Sequence, residues 1–362
     1  MKIMFIIHSL NYLAGAETIL SRFANFFSQK GHEVSICLLS NEKILFNLNK
    51  QINLYPYHGK KINHLFPKKI DLLYQQVNHI TASIEEENPD ILISYISATN
   101  ILSTIAAKIT KKPIILAERS SYHLSLKNRY WKFLRRIVYP FATKAIILTH
   151  EDQPKYHYVK EVIVIPNPLI LENKHHSIKR KKIVLAVGRL APVKGFDMLI
   201  KAFSKLDTKG WKLVIAGEGR SREELQNLID TLKITDKVSL IGVVKDVEYY
   251  YKKASIFVLS SRSEGFPGAL CEAMGYGCPP IAFNCPTGPK EIITHNKDGI
   301  LIKPNNIKEL EKEIHKLIND QERREQLGQE AQKISKKLDI QNIAQQWEEI
   351  LTTTIKNFNK DS

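Results

Sequence analysis

The chain has 362 residues, enough for two domains, and its 43% hydrophobic content without low-complexity tracts describes a globular protein with sizeable cores. Net charge is +16 and unevenly spread: residues 1–180 hold 24 Lys and Arg against 13 Asp and Glu, and the remainder holds 29 against 24. No apolar run approaches the ~20 residues of a membrane helix, and no nucleic-acid motif accompanies the charge. The excess on the first half therefore points to a phosphate-bearing substrate or an acidic membrane surface.

In chain order, the opening "KIMFIIHSL" reads as a first core strand rather than a signal peptide, which predicts a cytoplasmic protein. Strand-like runs follow at "EVSICLLS", "DILISYIS", "PIILAERS", "KAIILT" and "VIVIPNP", with amphipathic helical stretches such as 17–30 and 100–110 between them. A second series reads "IVLAVGRL", "KLVIAGEG", "VSLIGVV", "SIFVLSS", "PPIAF" and "GILI", with helices at 196–206 and 222–233. Short continuous Val/Ile/Leu runs mark strands buried on both faces, hence parallel sheets covered by helices. Strand–helix alternation in two blocks predicts an α/β protein of two doubly wound, Rossmann-like domains, with ligands beyond the carboxyl ends of the strands and a cleft between the domains. The expected boundaries are a first domain at 1–165, a linker at 166–182, a second domain at 183–339 and a helical segment at 340–362 returning to the first domain. Cys37, Cys271, Cys278 and Cys285 match no common zinc spacing and are expected to be reduced, buried thiols.

The segment "NRYWKFLRRIVYPFATK" at 128–144 has a helical apolar stripe of Tyr130, Phe133, Leu134, Ile137, Val138 and Phe141. Arg129, Lys132, Arg135 and Arg136 lie off the stripe. The expectation is that the stripe packs inward on the first sheet and the cations face outward, where they can meet anionic lipid.

Four stretches carry candidate chemistry. In "HSLNYLAGAETIL", Gly15 stands at the first strand–helix junction, open to a substrate. In "VGRLAPVKGFDMLI", Gly188 and Arg189 end a strand and Lys194 precedes a helix. A guanidinium fork and an ammonium there suit a diphosphate, although solvated loop cations are the commoner case. "IAGEGR" places Gly217 and Gly219 in a tight turn, a weak signal alone. In "SRSEGFPGALCEAMGYG", Glu264 lies in a strand-end loop and Glu272 about two turns into the following helix. Carboxylates accept hydrogen bonds from sugar hydroxyls, and the helix start offers unpaired N–H groups. The competing reading, a helix cap and a solvated acid, weighs about equally on the motif alone.

Taken together and in this order, "GAE", "GRL…KG", "AGEG", "EGFP" with a second Glu eight residues on, and "DGILI" resemble family 4 glycosyltransferases of the GT-B fold, over essentially the whole chain. The resemblance implies a retaining transferase that moves a hexose or N-acetylhexosamine from a nucleotide-sugar, usually UDP-linked, to a lipid-linked oligosaccharide or polysaccharide precursor, without a metal cofactor. It implies that Arg189 and Lys194 hold the diphosphate, that Glu264 with backbone near Gly265, Phe266 and Gly268 holds the donor sugar, and that Glu272 holds the ribose. Arg189, Lys194 and Glu264 would then be catalytic. Gly15, Gly188, Gly217, Gly219 and Leu270 complete the implied donor site. A lipid-linked acceptor would place the protein at the inner face of the cytoplasmic membrane. The family often has two glycines in the first loop, where this chain has Ala14 and Gly15. It often has a His after the fourth strand, where this chain has Arg119, with His123 four residues on; both are candidates for the acceptor side. A sugar-nucleotide epimerase and a non-catalytic nucleotide-binding protein are the alternatives.

Overall fold

Every strand-like run of the sequence forms a strand in the computed structural model, which describes residues 1–11, 15–59, 68–126, 128–171 and 179–361. The chain divides into two compact units, one of Met1–Asn167 with Gln341–Ser362, the other of Pro168–Ile340. Part of the expected linker, 172–178, lies outside the described residues.

The first unit holds β1 (Lys2–Ile7), β2 (Glu33–Leu38), β3 (Asn53–Tyr55), β4 (Ile91–Tyr95), β5 (Ile114–Ala117), β6 (Lys144–Ile147) and β7 (Val162–Val164). They form one sheet in the order β3-β2-β1-β4-β5-β6-β7, with every pairing parallel. Alternate residues of β1 show why the run is continuously apolar. Ile3, Phe5 and Ile7 join a core with Phe23, Phe27 and Trp347, while Met4 and Ile6 join a second core with Ile101, Ala106 and Tyr139. The C-terminal helix Ile340–Asp361 closes the first of these cores. Its Trp347 lies 5.5 Å from Phe23, and its Glu348 accepts from Lys30 Nζ and His32 Nε2, both at 3.0 Å.

The second unit holds β8 (Ile183–Val187), β9 (Lys212–Ala216), β10 (Val238–Gly242), β11 (Ile256–Leu259), β12 (Pro280–Phe283) and β13 (Ile300–Ile302), all parallel, in the order β10-β9-β8-β11-β12-β13. Here too β8 is buried on both faces: Val184 and Ala186 pack with Leu199 and Phe203, and Leu185 packs with Phe257 and Met274. All four cysteines are buried and outside any disulfide, and burial pushes the Cys37 and Cys278 thiols up to about 12. Burial raises the Cys271 thiol as well, and these three stay protonated at neutral pH.

The helix Arg129–Val138 contradicts its expected orientation. Tyr130, Phe133, Ile137 and the following Phe141, four of the six stripe residues, are exposed and face outward, while Val138 is buried and Leu134 half-buried against the core. Arg135, expected outside, is 1% exposed. Its guanidinium carbon lies 3.8 Å over the Tyr122 ring and 5.6 Å from the Tyr156 ring, and Nη1 donates to Ser125 Oγ at 2.8 Å. A cation between aromatic rings thus wins the inner face, together with Val138 and the edges of Trp131 and Leu134.

Candidate functional site

In both sheets the chain winds outward from a central strand in two directions. The reversal lies between β1 and β4 in the first unit, and between β8 and β11 in the second. Loops leaving neighbouring strands at such a point part to opposite faces and leave a crevice at the carboxyl ends.

In the second unit this point brings together two candidates that are 70 residues apart. Lys194 follows β8, Glu264 follows β11, and Lys194 Nζ meets Glu264 Oε1 at 2.7 Å. Glu264 is 7% exposed and its Oε1 also accepts from Ser261 Oγ at 2.5 Å. The loop after β12 completes the frame. Thr287 Oγ1 donates to the Glu264 carbonyl, and Thr287 itself is fully buried with φ +61°. That conformation is uncommon for a β-branched residue, and the enclosing loop holds it. A second pair braces the other side: Arg262 forks both oxygens of Asp197, at 2.9 and 2.7 Å. Burial raises the Asp197 carboxyl, but the Arg262 hydrogen bonds and charge outweigh it, so its pKa lies below its ordinary value.

Arg189, by contrast, is exposed. Among the described residues no ion pair involves it. Gly188, Gly217 and Gly219 bring two loops into contact. A Cβ on Gly217 would stand 1.9 Å from the Gly188 carbonyl oxygen, and one on Gly219 2.3 Å from that of Leu190. The backbone bonds Leu190 N–H to Glu218 O (2.8 Å) and Ser221 N–H to Leu190 O (3.0 Å) stitch the loops together. Gly217 and Gly219 are therefore required by the close approach of the main chain, whatever else lies beside them.

The helix Gly268–Gly275 begins behind Pro267, with half-buried Gly265 and Phe266 before it. The first N–H groups of a helix have no carbonyl in a preceding turn, so Gly268 and Ala269 offer donors at the strand-end side. Leu270 faces the core. Its side chain is at 0% exposure and its N–H donates to the Pro267 carbonyl at 3.0 Å, so it supports the start of the helix. Glu272 is half-buried, and its Oε2 accepts from Tyr251 Oη at 2.9 Å. Burial first, then the Glu272 carboxylate, hold the Tyr251 phenol well above its ordinary value, so it stays a donor.

In the first unit the chemistry differs. Glu118, at the end of β5, is 1% exposed and satisfied by neutral donors: Ser97 Oγ at 2.7 Å, Asn100 Nδ2 at 3.3 Å and the Tyr139 hydroxyl. Arg119 turns away from it. Its guanidinium carbon lies 5.3 Å from the Tyr95 ring and 5.2 Å from the Trp347 ring, and Nη1 donates to Asn167 Oδ1 at 3.2 Å. Nε and Nη2 are enclosed and have no hydrogen-bond partner among the described residues, and burial draws the guanidinium pKa below its ordinary value. His123 is exposed, edge-on to Tyr122. Gly15 opens the helix Gly15–Gln29, exposed and beside open space; its neighbour Ala14 lies outside the described residues. Ile96, after β4, has φ +73°, a strained β-branched residue beside the reversal point.

Sequence reasoning missed Ser261, Arg262, Asp197, Thr287 and Tyr251. Arg262 lies two residues before Glu264, and its charge was the available signal. A cavity of about 1060 Å³ elsewhere in the second unit, lined by Lys179, Arg180, Lys182 and Arg324 among others, is a structural seam. Arg180 and Arg324 spend their guanidiniums there on main-chain carbonyls.

Two doubly wound, all-parallel sheets, with a charged strand-end site in the second, define the GT-B class of glycosyltransferase fold. The chain belongs to glycosyltransferase family 4: residues 13–173 match Glycosyltransferase Family 4 and residues 170–334 match Glycosyl transferases group 1. A Haemophilus influenzae glycosyltransferase is 32% identical, covering 97% of this chain and 99% of its own. A Campylobacter jejuni α-1,4-N-acetyl-D-galactosaminyltransferase, named for the acceptor GalNAc-α-(1→4)-GalNAc-α-(1→3)-diNAcBac-PP-undecaprenol, is 32% identical and covers 99% of both chains. Among solved structures, the Anabaena HepE complex with UDP and glucose superimposes with a TM-score of 0.82 at 20% identity, covering 97% of this chain and 99% of that one. This glycosyltransferase has, among its described residues, no helix long and apolar enough to cross a membrane.

Proposed function

We propose that the chain is a retaining glycosyltransferase. In this reading it moves a hexose or N-acetylhexosamine from a UDP-linked donor to a sugar hydroxyl of a lipid-linked oligosaccharide. The full-length similarity to the Campylobacter jejuni transferase, whose name gives as acceptor a sugar on undecaprenyl diphosphate, carries the reading. The site chemistry supports it. Lys194 exchanges Glu264 for the donor's diphosphate, Arg189 joins it from its exposed loop, and the first N–H groups of Gly268–Gly275 add to the field. These fixed cations and dipoles stabilise charge on the departing diphosphate without a metal cofactor. Glu264, freed of its ammonium, accepts hydrogen bonds from the donor sugar, and Glu272, oriented by Tyr251, takes the ribose hydroxyls. The C1–O bond to phosphate breaks as the acceptor oxygen bonds C1 on the same face. The acceptor's proton passes to the leaving phosphate oxygen, so the anomeric configuration is kept. Arg119 and His123 act on the acceptor side.

The test is a panel of UDP-, GDP- and ADP-sugars with a lipid-diphosphate-linked saccharide, with products assigned by NMR. The reading predicts transfer from a UDP-sugar with retained configuration, undiminished by exhaustive chelation. An inverted product, isomerised donor without transfer, or activity abolished by chelation and restored by magnesium would each contradict part of it.

A further inference from the structure

The outward stripe on Arg129–Val138 is held in place by the opposite face of the same helix. Burying Phe133 or Ile137 would drag Arg135 out from between Tyr122 and Tyr156 and break its bond to Ser125. The exposure of Tyr130 (61%), Phe133 (62%), Ile137 (48%) and Phe141 (53%) is thus a consequence of the packing rather than of a loosely placed helix. The adjoining helix Ser97–Thr110 adds Ile109 (58% exposed), and its Lys108 Nζ sits 3.5 Å over the ring of Phe141, in the turn that follows Arg129–Val138, so the surface continues from one helix to the other. Large apolar side chains clustered on a surface mark an interaction site.

The charge around this surface says which partner. From residue 91 to residue 150 the single carboxylate is Glu118, and it is buried. Lys108, Arg129, Lys132 and Arg136 are exposed on the two helices. A helix with aromatic and aliphatic side chains on one face and Lys and Arg beside them lies in the plane of a membrane surface, its apolar face among the acyl chains and its cations at the headgroups. We propose that this face docks on an anionic lipid bilayer, with Tyr130, Phe133, Ile137 and Phe141 inserted and Arg129, Lys132 and Arg136 paired with lipid phosphates. The proposal rests on the orientation of the helix and the local charge, independently of the transfer reading.

The experiment is co-sedimentation of the full chain with vesicles of phosphatidylcholine, with and without phosphatidylglycerol, at low and high salt, beside size-exclusion chromatography in solution. Two variants are compared, Phe133→Ser with Ile137→Ser, and Arg129→Ser with Lys132→Ser and Arg136→Ser. All five residues are exposed, so thermal melting should be unchanged. The wild type should bind the anionic vesicles in a salt-sensitive way. Removing the three cations should weaken binding on the order of a hundredfold at low salt. Removing the two apolar side chains should weaken it roughly tenfold or more at either salt. Absence of wild-type binding to the anionic vesicles, or binding indifferent to both variants, would overturn the proposal. So would a wild-type dimer that Phe133→Ser with Ile137→Ser converts to monomer without any change in vesicle binding, which would assign the face to a second copy of the chain.

Discussion

The two units hold the buried glutamates at the carboxyl ends of their sheets in opposite ways. In the second, cations pair with carboxylates across loops: Lys194 with Glu264, and Arg262 with Asp197. In the first, Glu118 is satisfied by a serine, an asparagine and a tyrosine, and Arg119 and Arg135 rest on aromatic rings. An ion pair can be exchanged: an incoming phosphate offers Lys194 the same charge that Glu264 does. A carboxylate held by three neutral donors has no such substitute. The second unit's charges are therefore suited to handing over to a ligand, while Glu118 in the first is architecture.

The largest expected effect separates these roles. Glu118→Ala strands three buried donors and should destabilise the first unit by about 3 kcal/mol or more, seen in denaturant unfolding. Nucleotide affinity of the protein that remains folded should be unchanged. A variant that binds nucleotide less tightly at full stability would erase the distinction.

Next come the exchangeable cations. Arg189→Ala should weaken donor use by roughly 1.5–3 kcal/mol with no loss of stability, because the side chain is exposed. Lys194→Ala should weaken donor use by a similar amount and also lower stability, because it leaves Glu264 buried without its ammonium. Lys194→Met with Glu264→Gln should recover part of that stability but none of the activity. Steady-state kinetics and thermal melting of the three proteins decide, and normal turnover in either single variant would remove that residue from the site.

Arg119 tests the boundary between the two kinds of charge. Its guanidinium is enclosed with two unbonded nitrogens, so Arg119→Met should change stability by less than about 1 kcal/mol. If Arg119 serves the acceptor, transfer falls while the KM for donor stays put; a fall in donor affinity instead would assign it wrongly.

The smallest effect is a pH dependence. Asp197 has a folded pKa below its ordinary value near 3.8, so the unfolded chain takes up the proton first. The stabilisation is complete above that ordinary value and drains away as pH falls through the lower folded one. The pair is largely solvent-screened, so Asp197→Asn should remove only about 0.5 kcal/mol at neutral pH and flatten the profile below pH ~4. A profile as steep as wild type in acid denaturation would contradict this.

Both sheets were legible because most of their strands are buried on both faces and read as unbroken Val/Ile/Leu runs. β3 was not, since its three residues, Asn53–Tyr55, are partly exposed and carry no such run. The helix Lys68–Glu87 was missed as well. The stripe on Arg129–Val138 was legible as a periodicity, but periodicity names a face without saying where it points. Arg135 settles that through Tyr122 and Tyr156, 13 and 21 residues away in opposite directions. At the site, Glu264 and Lys194 were legible singly, whereas their pairing depends on β8 and β11 lying side by side. Glu272's partner Tyr251 lies on a different helix, which no local pattern shows.

The central claim is that Glu264 and Glu272 serve different parts of one donor, and calorimetry tests it most directly. Wild type, Glu264→Ala and Glu272→Ala are each titrated with UDP and with the UDP-sugar that supports transfer. Glu272→Ala should bind both ligands more weakly, by roughly 1.5–3 kcal/mol, while Glu264→Ala should bind UDP as wild type does and lose affinity only for the UDP-sugar. Equal losses for the two variants on both ligands, or the reverse pattern, would contradict the account.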